Sequence, residues 1–235
     1  MMTSFTHELP ESLRDESLNK GNFPVDKNVI AHFLPGSQVL SANRYGSSAW
    51  TVTRGIITEL PDGAPKKYFL KSATGKGGYD MMEGEFWAMT ELHKTIPANT
   101  PRPIARGKFE KETPPTYFLL CEFMEMSDEL PGPERLCVLV NELHSNSVSP
   151  TGQFGFHVRT CNGRTPQATE WDDSWTSYFT ELLEHAVAED TKVNGAWTEM
   201  ERVGRRLLEV VIPRLIGALE VCTPWSLVDG GSSHV

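Results

Sequence analysis

The amino-acid sequence predicts an α+β protein with a β-rich first half and an α-helical second half. Three segments rich in β-forming residues follow one another before residue 72, with turn residues between them. From Pro133 onward, apolar residues recur at the spacing of an α-helix. The pattern changes between residues 125 and 132, so we place a domain boundary there. The expected parts are a polar segment, a small lobe and a helical lobe, over residues 1–30, 31–126 and 127–235.

The composition is that of an ordinary globular protein with an acidic surface. The 235 residues carry a formal net charge of −9, a hydrophobic content of 39%, a pI near 5.3 and a mean hydropathy of −0.34. An acidic chain does not neutralise phosphates, so we expect no nucleic-acid partner and no anionic membrane surface as a partner. No apolar run approaches the roughly 18 residues of a membrane span, and the N-terminus has no secretory pattern. We expect a cytoplasmic location.

The four cysteines, Cys121, Cys137, Cys161 and Cys222, are widely and irregularly spaced and form no CxxC pair. Structural zinc sites and disulfide frameworks have tighter spacing signatures. We therefore expect no metal site here, and reduced thiols in an intracellular protein.

The first half carries the elements of a small sheet. The spacing allows a short helix over residues 10–19. Residues 36–58 are expected to form two strands around a turn at 46–48, the second strand opening with the β-forming run AWTVT. A Pro-Asp-Gly turn at 61–63 then leads into a third strand at 67–71.

An amphipathic helix is expected over residues 79–92, where apolar residues stand three and four apart. The preceding 75–78 segment, GKGG, lacks the spacing of a Walker A loop, and we expect a mobile turn there. Residues 97–103 lie between two prolines and should form a stiff connector. The apolar run 117–124 predicts a buried strand.

The second half predicts three helices. The first covers about 136–146, the second about 171–188 and the third about 196–220, with a kink or a break at Pro213. Pro166, before the second helix, is expected to stop any strand pairing.

Lys71 and Glu85 are the pair of residues with the clearest chemical meaning. Each alone would be read as a solvated surface charge. Together, a lysine at the end of a strand and a glutamate on the next helix match how kinase folds hold an ammonium against the α- and β-phosphates of ATP. Glu83 is two residues earlier and therefore on another face of the helix. We predict that Lys71 pairs with Glu85.

Two further segments are candidates for contact with a nucleotide. Small residues in the first turn would let backbone N–H groups approach phosphates. The end of the strand at 117–124, just before the change of composition, is where a kinase hinge would offer its backbone to adenine, although a buried strand end has the same sequence pattern. These candidate ATP-binding residues are Gly46, Ser47, Ser48, Glu122, Phe123 and Met124.

The stretch FGFHVRTCNGRTPQ at 154–167, followed by Trp171 and Trp175, is the most specific motif in the chain. By its residue types it is an aromatic anchor that joins a loop to a helix, with both tryptophans on one helix face. Its order also resembles the central block of the fructosamine/ketosamine-3-kinase family. The resemblance runs from about residue 38 to 228 and includes YFLK at 68–71, EGE at 83–85 and Leu-His at 143–144.

The resemblance implies a two-lobed, protein-kinase-like fold of the aminoglycoside-phosphotransferase type. It also implies ATP and Mg²⁺ as cofactors, and phosphorylation of the sugar 3-hydroxyl of ribulosamine or fructosamine. The substrates of that family are glycated protein lysines or small ketosamines, and the product is shed, which repairs the glycation. A second possibility is a related kinase for an aminoglycoside-like or choline-like substrate, but the 154–175 block matches the ketosamine kinases specifically.

The sequence departs from the family at residues 228–235. The family continues there with a His-Gly-Asp-Leu-Trp catalytic loop and a later Asp-Pro magnesium site, whereas this sequence reads VDGGSSHV. Asp229 has the wrong neighbours to be the catalytic base. The resemblance thus implies an incomplete helical lobe with uncovered apolar helix faces, and a chain that transfers no phosphate. The alternative function is a catalytically inactive remnant that binds a nucleotide or a protein.

Overall fold

A five-stranded antiparallel sheet forms the first half of the protein in a computed structural model, which describes residues 23–127 and 129–217. The strand order is β1-β2-β3-β5-β4, and every neighbouring pair is antiparallel. The helix expected over 10–19 lies outside the described residues. The strands are β1 Gln38–Arg44, β2 Val52–Glu59, β3 Pro65–Thr74, β4 Pro103–Lys108 and β5 Thr116–Glu122.

Each face of this sheet is covered by one helix, and this divides the core in two. Helix α1, Lys27–Ile30, packs on the face that receives Tyr68 and Leu70 of β3, with Val29 completely buried. Helix α2, Gly75–Thr95, packs on the opposite face. Because side chains alternate along a strand, Phe69, Lys71 and Ala73 all belong to the face of α2. The buried residues of this half of the core lie on α2 and on the strands that it covers. They are Ala73, Met81, Met82, Leu119 and Cys121.

Helix α2 begins earlier than the apolar spacing predicts, and the expectation of a mobile turn at 75–78 is wrong. Gly75 has φ +73 and its N–H donates to the carbonyl of Pro115, 2.8 Å away. A Cβ on Gly78 would lie 2.5 Å from the carbonyl oxygen of Ala73. The glycines therefore allow the chain to turn directly from β3 into the helix, where a side chain would clash.

The sequence does not predict strand β4. It indicates a stiff connector over residues 97–103 and no strand directly after that connector. The sequence of β4, PIARGK, has no alternation of apolar and polar residues. Among the described strands it pairs with β5 alone and lies at the edge of the sheet, which is a position that tolerates proline and glycine. A Cβ on Gly107 would lie 2.8 Å from the ring of the buried Phe118, so the glycine makes room for that ring.

Four helices lie in the described part of the second half. They are α3 Pro133–Asn146, α4 Trp175–Asn194, α5 Thr198–Arg206 and α6 Ile212–Leu215, the last two joined by a π-helical turn at Leu207–Val211. The predicted third helix is thus two helices, with Pro213 in the first turn of α6, where no backbone N–H is needed. The predicted second helix starts too early: Ser174 caps α4, and its side chain accepts a hydrogen bond from the Ser177 N–H. Trp171 therefore lies before the helix.

Between α3 and α4, two strands of two residues each form a small hairpin. They are β6 Cys161–Asn162 and β7 Thr165–Pro166. The expectation that Pro166 stops strand pairing is wrong, since Pro166 pairs with Cys161 at the end of the ladder. A proline is tolerated at a strand end where its missing N–H has no partner to satisfy. Gly163, with φ +58, forms the turn.

Large apolar side chains are exposed on the helices of the second half. Helix α3 has no buried residue. Val193 is 80% exposed, Trp197 63% and Leu215 67%. No helix in the described part of the chain has the length and apolar character needed to cross a membrane.

Candidate functional site

Lys71 and Glu85 form an ion pair on the α2 face of the sheet. Lys71 lies between Thr53 of β2 and Leu119 of β5, and only 7% of the residue is exposed. Its Nζ is 2.8 Å from each carboxylate oxygen of Glu85 on α2. A buried ammonium needs such a partner, because burial without one costs several kcal/mol. The predicted pairing is present in the structure, and Lys71 is not a solvated strand-edge charge.

Glu83, which is predicted to lie on another face of α2 than Glu85, forms a different ion pair. Its Oε1 is 2.6 Å from Nη2 of Arg106 on β4 and accepts a hydrogen bond from the Tyr79 hydroxyl at 3.0 Å. The pair with Arg106 connects α2 to the edge strand of the sheet. Glu83 therefore holds the helix that presents Glu85.

The loop between β1 and β2 contains the predicted phosphate-covering residues. Gly46 has φ +70, which favours glycine. The Ser48 hydroxyl oxygen accepts hydrogen bonds from the N–H groups of Trp50 and Thr51 and is 2.9 Å from the Thr51 hydroxyl. Ser48 thus stabilises the loop itself, and Gly46 and Ser47 are exposed. The AWT part of the expected strand belongs to this loop.

The predicted hinge follows β5 directly. Glu122 ends the strand, and its carboxylate pairs with Arg102 at 3.0 Å and Lys66 at 3.2 Å. The hydrogen bond from Arg102, together with Lys66, lowers the pKa of Glu122 below its ordinary value. Beyond the strand, the backbone N–H and C=O groups of Phe123 and Met124 form no hydrogen bond with any described residue. Both residues are half-buried, and their part in binding adenine stays a prediction.

An aromatic cluster lies on the α2 face of the sheet, and the sequence pattern does not predict it. The rings of Tyr45 and Phe123 meet edge to face at 4.8 Å, and Tyr45 also meets Phe69 at 6.3 Å. Gly55 of β2 lies against them, and a Cβ there would be in ordinary van der Waals contact with the Phe123 ring, 3.5 Å away. The three rings come from three separate segments, so no local pattern announces them. They line the sheet face between the hinge and Lys71.

The 154–167 block is held by its aromatic residues. Phe154 exchanges backbone hydrogen bonds of 2.8 Å with Asp172, and its ring lies 5.3 Å from that of Trp175. Gly155 has φ +141, and a Cβ there would lie 2.9 Å from the Trp171 ring. The block is an aromatic anchor of a loop to a helix. Trp171 lies in the loop and Trp175 lies in α4, so the two tryptophans do not share one helix face as predicted.

The five-stranded sheet and the helix that packs on it belong to a kinase-like fold, as comparison with known proteins shows. The family model described as fructosamine kinase matches residues 47–211, well over half of the chain. The chain belongs to the fructosamine kinase family.

Two solved structures, both described as putative fructosamine-3-kinases, share the fold. The one from Thermobifida fusca YX-ER1 is 17% identical, with a TM-score of 0.56, and the match covers 80% of this chain and 60% of that one. The one from Haemophilus somnus 129PT is 16% identical, with a TM-score of 0.52, covering 80% and 57%. The matched part of this chain thus corresponds to less than two thirds of either structure. The expected α+β, two-lobed kinase-like fold is confirmed.

Proposed function

We propose that this chain supplies the ATP site of a kinase that phosphorylates the 3-hydroxyl of ribulosamine or fructosamine, free or on protein lysines. The single observation that carries the proposal is the buried Lys71–Glu85 pair, inside the region that matches the fructosamine kinase family. The family match supports a kinase acting on sugar amines. The pair supports ATP as the phosphoryl donor.

The geometry of the pair suits a phosphate ligand. A lysine ammonium has three protons to donate, and the Lys71 Nζ lies 2.8 Å from both Glu85 oxygens. One proton is left for an oxygen of the α- or β-phosphate. Glu85 fixes the direction of the ammonium, so that its charge is already in place when the phosphates arrive. The backbone of Gly46 and Ser47 would cover the phosphates from the β1–β2 loop.

The adenine ring has a matching surface on the same sheet face. Phe123 and Met124 offer backbone groups without protein partners among the described residues. The rings of Tyr45, Phe69 and Phe123 provide an apolar surface next to them. A purine needs both features, since its edge forms hydrogen bonds and its faces are apolar.

Mg²⁺, expected from the family resemblance, has no ligand set in this part of the protein. The described residues include no group of three or more His, Cys, Asp and Glu side chains arranged to hold a metal. ATP supplies the phosphoryl group, and the residues named above bind and orient it.

Calorimetric titration of ATP into the protein tests nucleotide binding. We expect ATP to bind, and Lys71→Met to weaken it by about tenfold or more, as loss of a charge-assisted hydrogen bond implies. Lys94→Met is the matched control, because Lys94 is exposed on α2 and pairs only with Glu91 among the described residues. Equal ATP affinity for the wild-type protein and Lys71→Met would contradict the proposed site.

A product assay tests the activity. Ribulosamine or fructosamine is incubated with ATP and Mg²⁺, and mass spectrometry detects the gain of one phosphoryl group. A phosphorylated product supports the kinase. Nucleotide binding without any product supports the other function expected from the sequence, a nucleotide-binding protein without turnover.

A further inference from the structure

One short segment, residues 159–163, contacts two parts of the proposed nucleotide site, the helix that carries Glu85 and the β1–β2 loop. Its first end lies against α2, next to Glu85. Its other end is the turn of the β6–β7 hairpin, against the β1–β2 loop. Neither contact is visible from sequence spacing, because the three segments are far apart in the chain.

At the α2 end, backbone packs against backbone. A Cβ on Gly84 would lie 2.6 Å from the carbonyl oxygen of Arg159 and 3.0 Å from Cα of Thr160. Real Cβ atoms are not found so close to backbone atoms, so a side chain at residue 84 would push the helix away from the segment. Gly84 directly precedes Glu85, whose carboxylate meets Lys71. Segment 159–163 therefore lies in backbone contact with α2 at the residue next to Glu85.

At the hairpin end, Gly163 lies under the indole ring of Trp50. A Cβ on Gly163 would be 3.1 Å from the Trp50 Nε1 and 3.2 Å from its Cε2. The backbone N–H of Trp50 donates to Ser48, which organises the loop that carries Gly46 and Ser47. The hairpin turn thus supports the β1–β2 loop through the indole ring.

We propose that segment 159–163 is a positioning element that fixes Glu85 and the β1–β2 loop together, and so sets how tightly the site holds the phosphates of a nucleotide. Through it, the second half of the chain controls the phosphate part of the site. Gly84, Gly163 and Trp50 are its contact residues and touch no nucleotide. This inference rests on the proposed ATP site.

The test is the ratio of ATP affinity to adenosine affinity, measured by calorimetry. A positioning effect on phosphates lowers this ratio, whereas a general loss of stability affects both ligands alike. For Gly84→Ala and for Trp50→Ala we expect the ratio to fall by about tenfold, the equivalent of about 1.4 kcal/mol. Trp50→Phe keeps a ring against Gly163 and should restore most of the ratio.

Two glycines serve as matched controls. Gly77 lies in α2 like Gly84, and a Cβ there meets nothing within 4 Å. Gly152 has φ +74, similar to the +58 of Gly163, and its Cβ would also meet nothing. Gly152→Ala therefore carries the backbone strain of Gly163→Ala without the contact. Both control variants should keep the wild-type ratio.

The outcomes separate the inference from the function on which it rests. If the wild-type protein binds ATP no more tightly than adenosine, or Lys71→Met has no effect, the ATP site itself is refuted. If Lys71→Met lowers the ratio but Gly84→Ala, Gly163→Ala and Trp50→Ala match their controls, the site stands and the positioning element is refuted. Should the glycine variants fail to fold, Trp50→Ala decides alone, since Trp50 is 45% exposed and its truncation creates no clash.

Discussion

The ion pair of Lys71 and Glu85 allows a quantitative prediction for stability. Replacing Lys71 by methionine keeps most of the side-chain volume but leaves the Glu85 carboxylate without its partner. Breaking a fully buried pair costs about 3–5 kcal/mol. The Glu85 side chain is 25% exposed and can regain some water, so we expect Lys71→Met to lower the free energy of unfolding by about 2 kcal/mol.

A double-mutant cycle isolates the pair. Glu85→Gln and the double variant Lys71→Met/Glu85→Gln complete it, and urea unfolding followed by tryptophan fluorescence gives each free energy. Because the double variant has no unpaired charge, we expect it to be more stable than the sum of the single effects predicts. The coupling energy should be about 1–3 kcal/mol.

The exposed pair of Arg202 and Glu199, with a nitrogen–oxygen distance of 2.6 Å, is the control. Both side chains are more than half exposed, so solvent screens the attraction and we expect no measurable coupling. A coupling energy for Lys71 and Glu85 no larger than that of the exposed pair would refute the claim that the buried pair is a stabilising, preformed unit.

Three other predictions follow from local contacts. Gly107→Ala places a Cβ 2.8 Å from the buried Phe118 ring and should cost about 1–3 kcal/mol of unfolding free energy in urea. Since hydrogen bonding lowers the pKa of Glu122, its ionised form stabilises the fold above the ordinary pKa of 4.5; the stability difference between wild type and Glu122→Gln should shrink as pH falls below that value. Burial raises the pKa of the Cys121 thiol to about 12, so alkylation mapped by peptide mass should reach the exposed Cys137 first.

Each of these three predictions has a control variant or a result that would contradict it. Gly132→Ala, where a Cβ meets nothing within 4 Å, should leave stability nearly unchanged. A Glu122→Gln deficit that stays constant down to pH 3 would show that the carboxylate charge does not stabilise the fold. Alkylation of Cys121 as fast as Cys137 in the native protein would contradict the burial of its thiol.

Local patterns predicted most of the sheet and the pairing within the site. The strand that carries Lys71 and the helix that carries Glu85 both have clear periodicity, and their order along the chain brings the two residues together. Helix geometry places Glu83 and Glu85 on different faces of α2, and the structure shows Lys71 paired with the predicted Glu85. The part of these residues in binding ATP stays a prediction.

The remaining features depend on contacts that no local pattern contains. Strand β4 forms because β5 offers an open edge, not because its own sequence favours a strand. Gly75 begins a helix against its propensity, since the turn from β3 leaves no room for a side chain at Gly78. The aromatic cluster around Phe123 and the contact of Trp50 with Gly163 join distant segments, so only the folded chain reveals them.

A crystal structure of the protein with a non-hydrolysable ATP analogue would test the central claim most directly. We predict an α- or β-phosphate oxygen within hydrogen-bond distance of Lys71 Nζ, with the Lys71–Glu85 pair intact. The adenine should meet the backbone of Phe123 and Met124. A nucleotide bound elsewhere, with Lys71 touching only Glu85, would contradict the account.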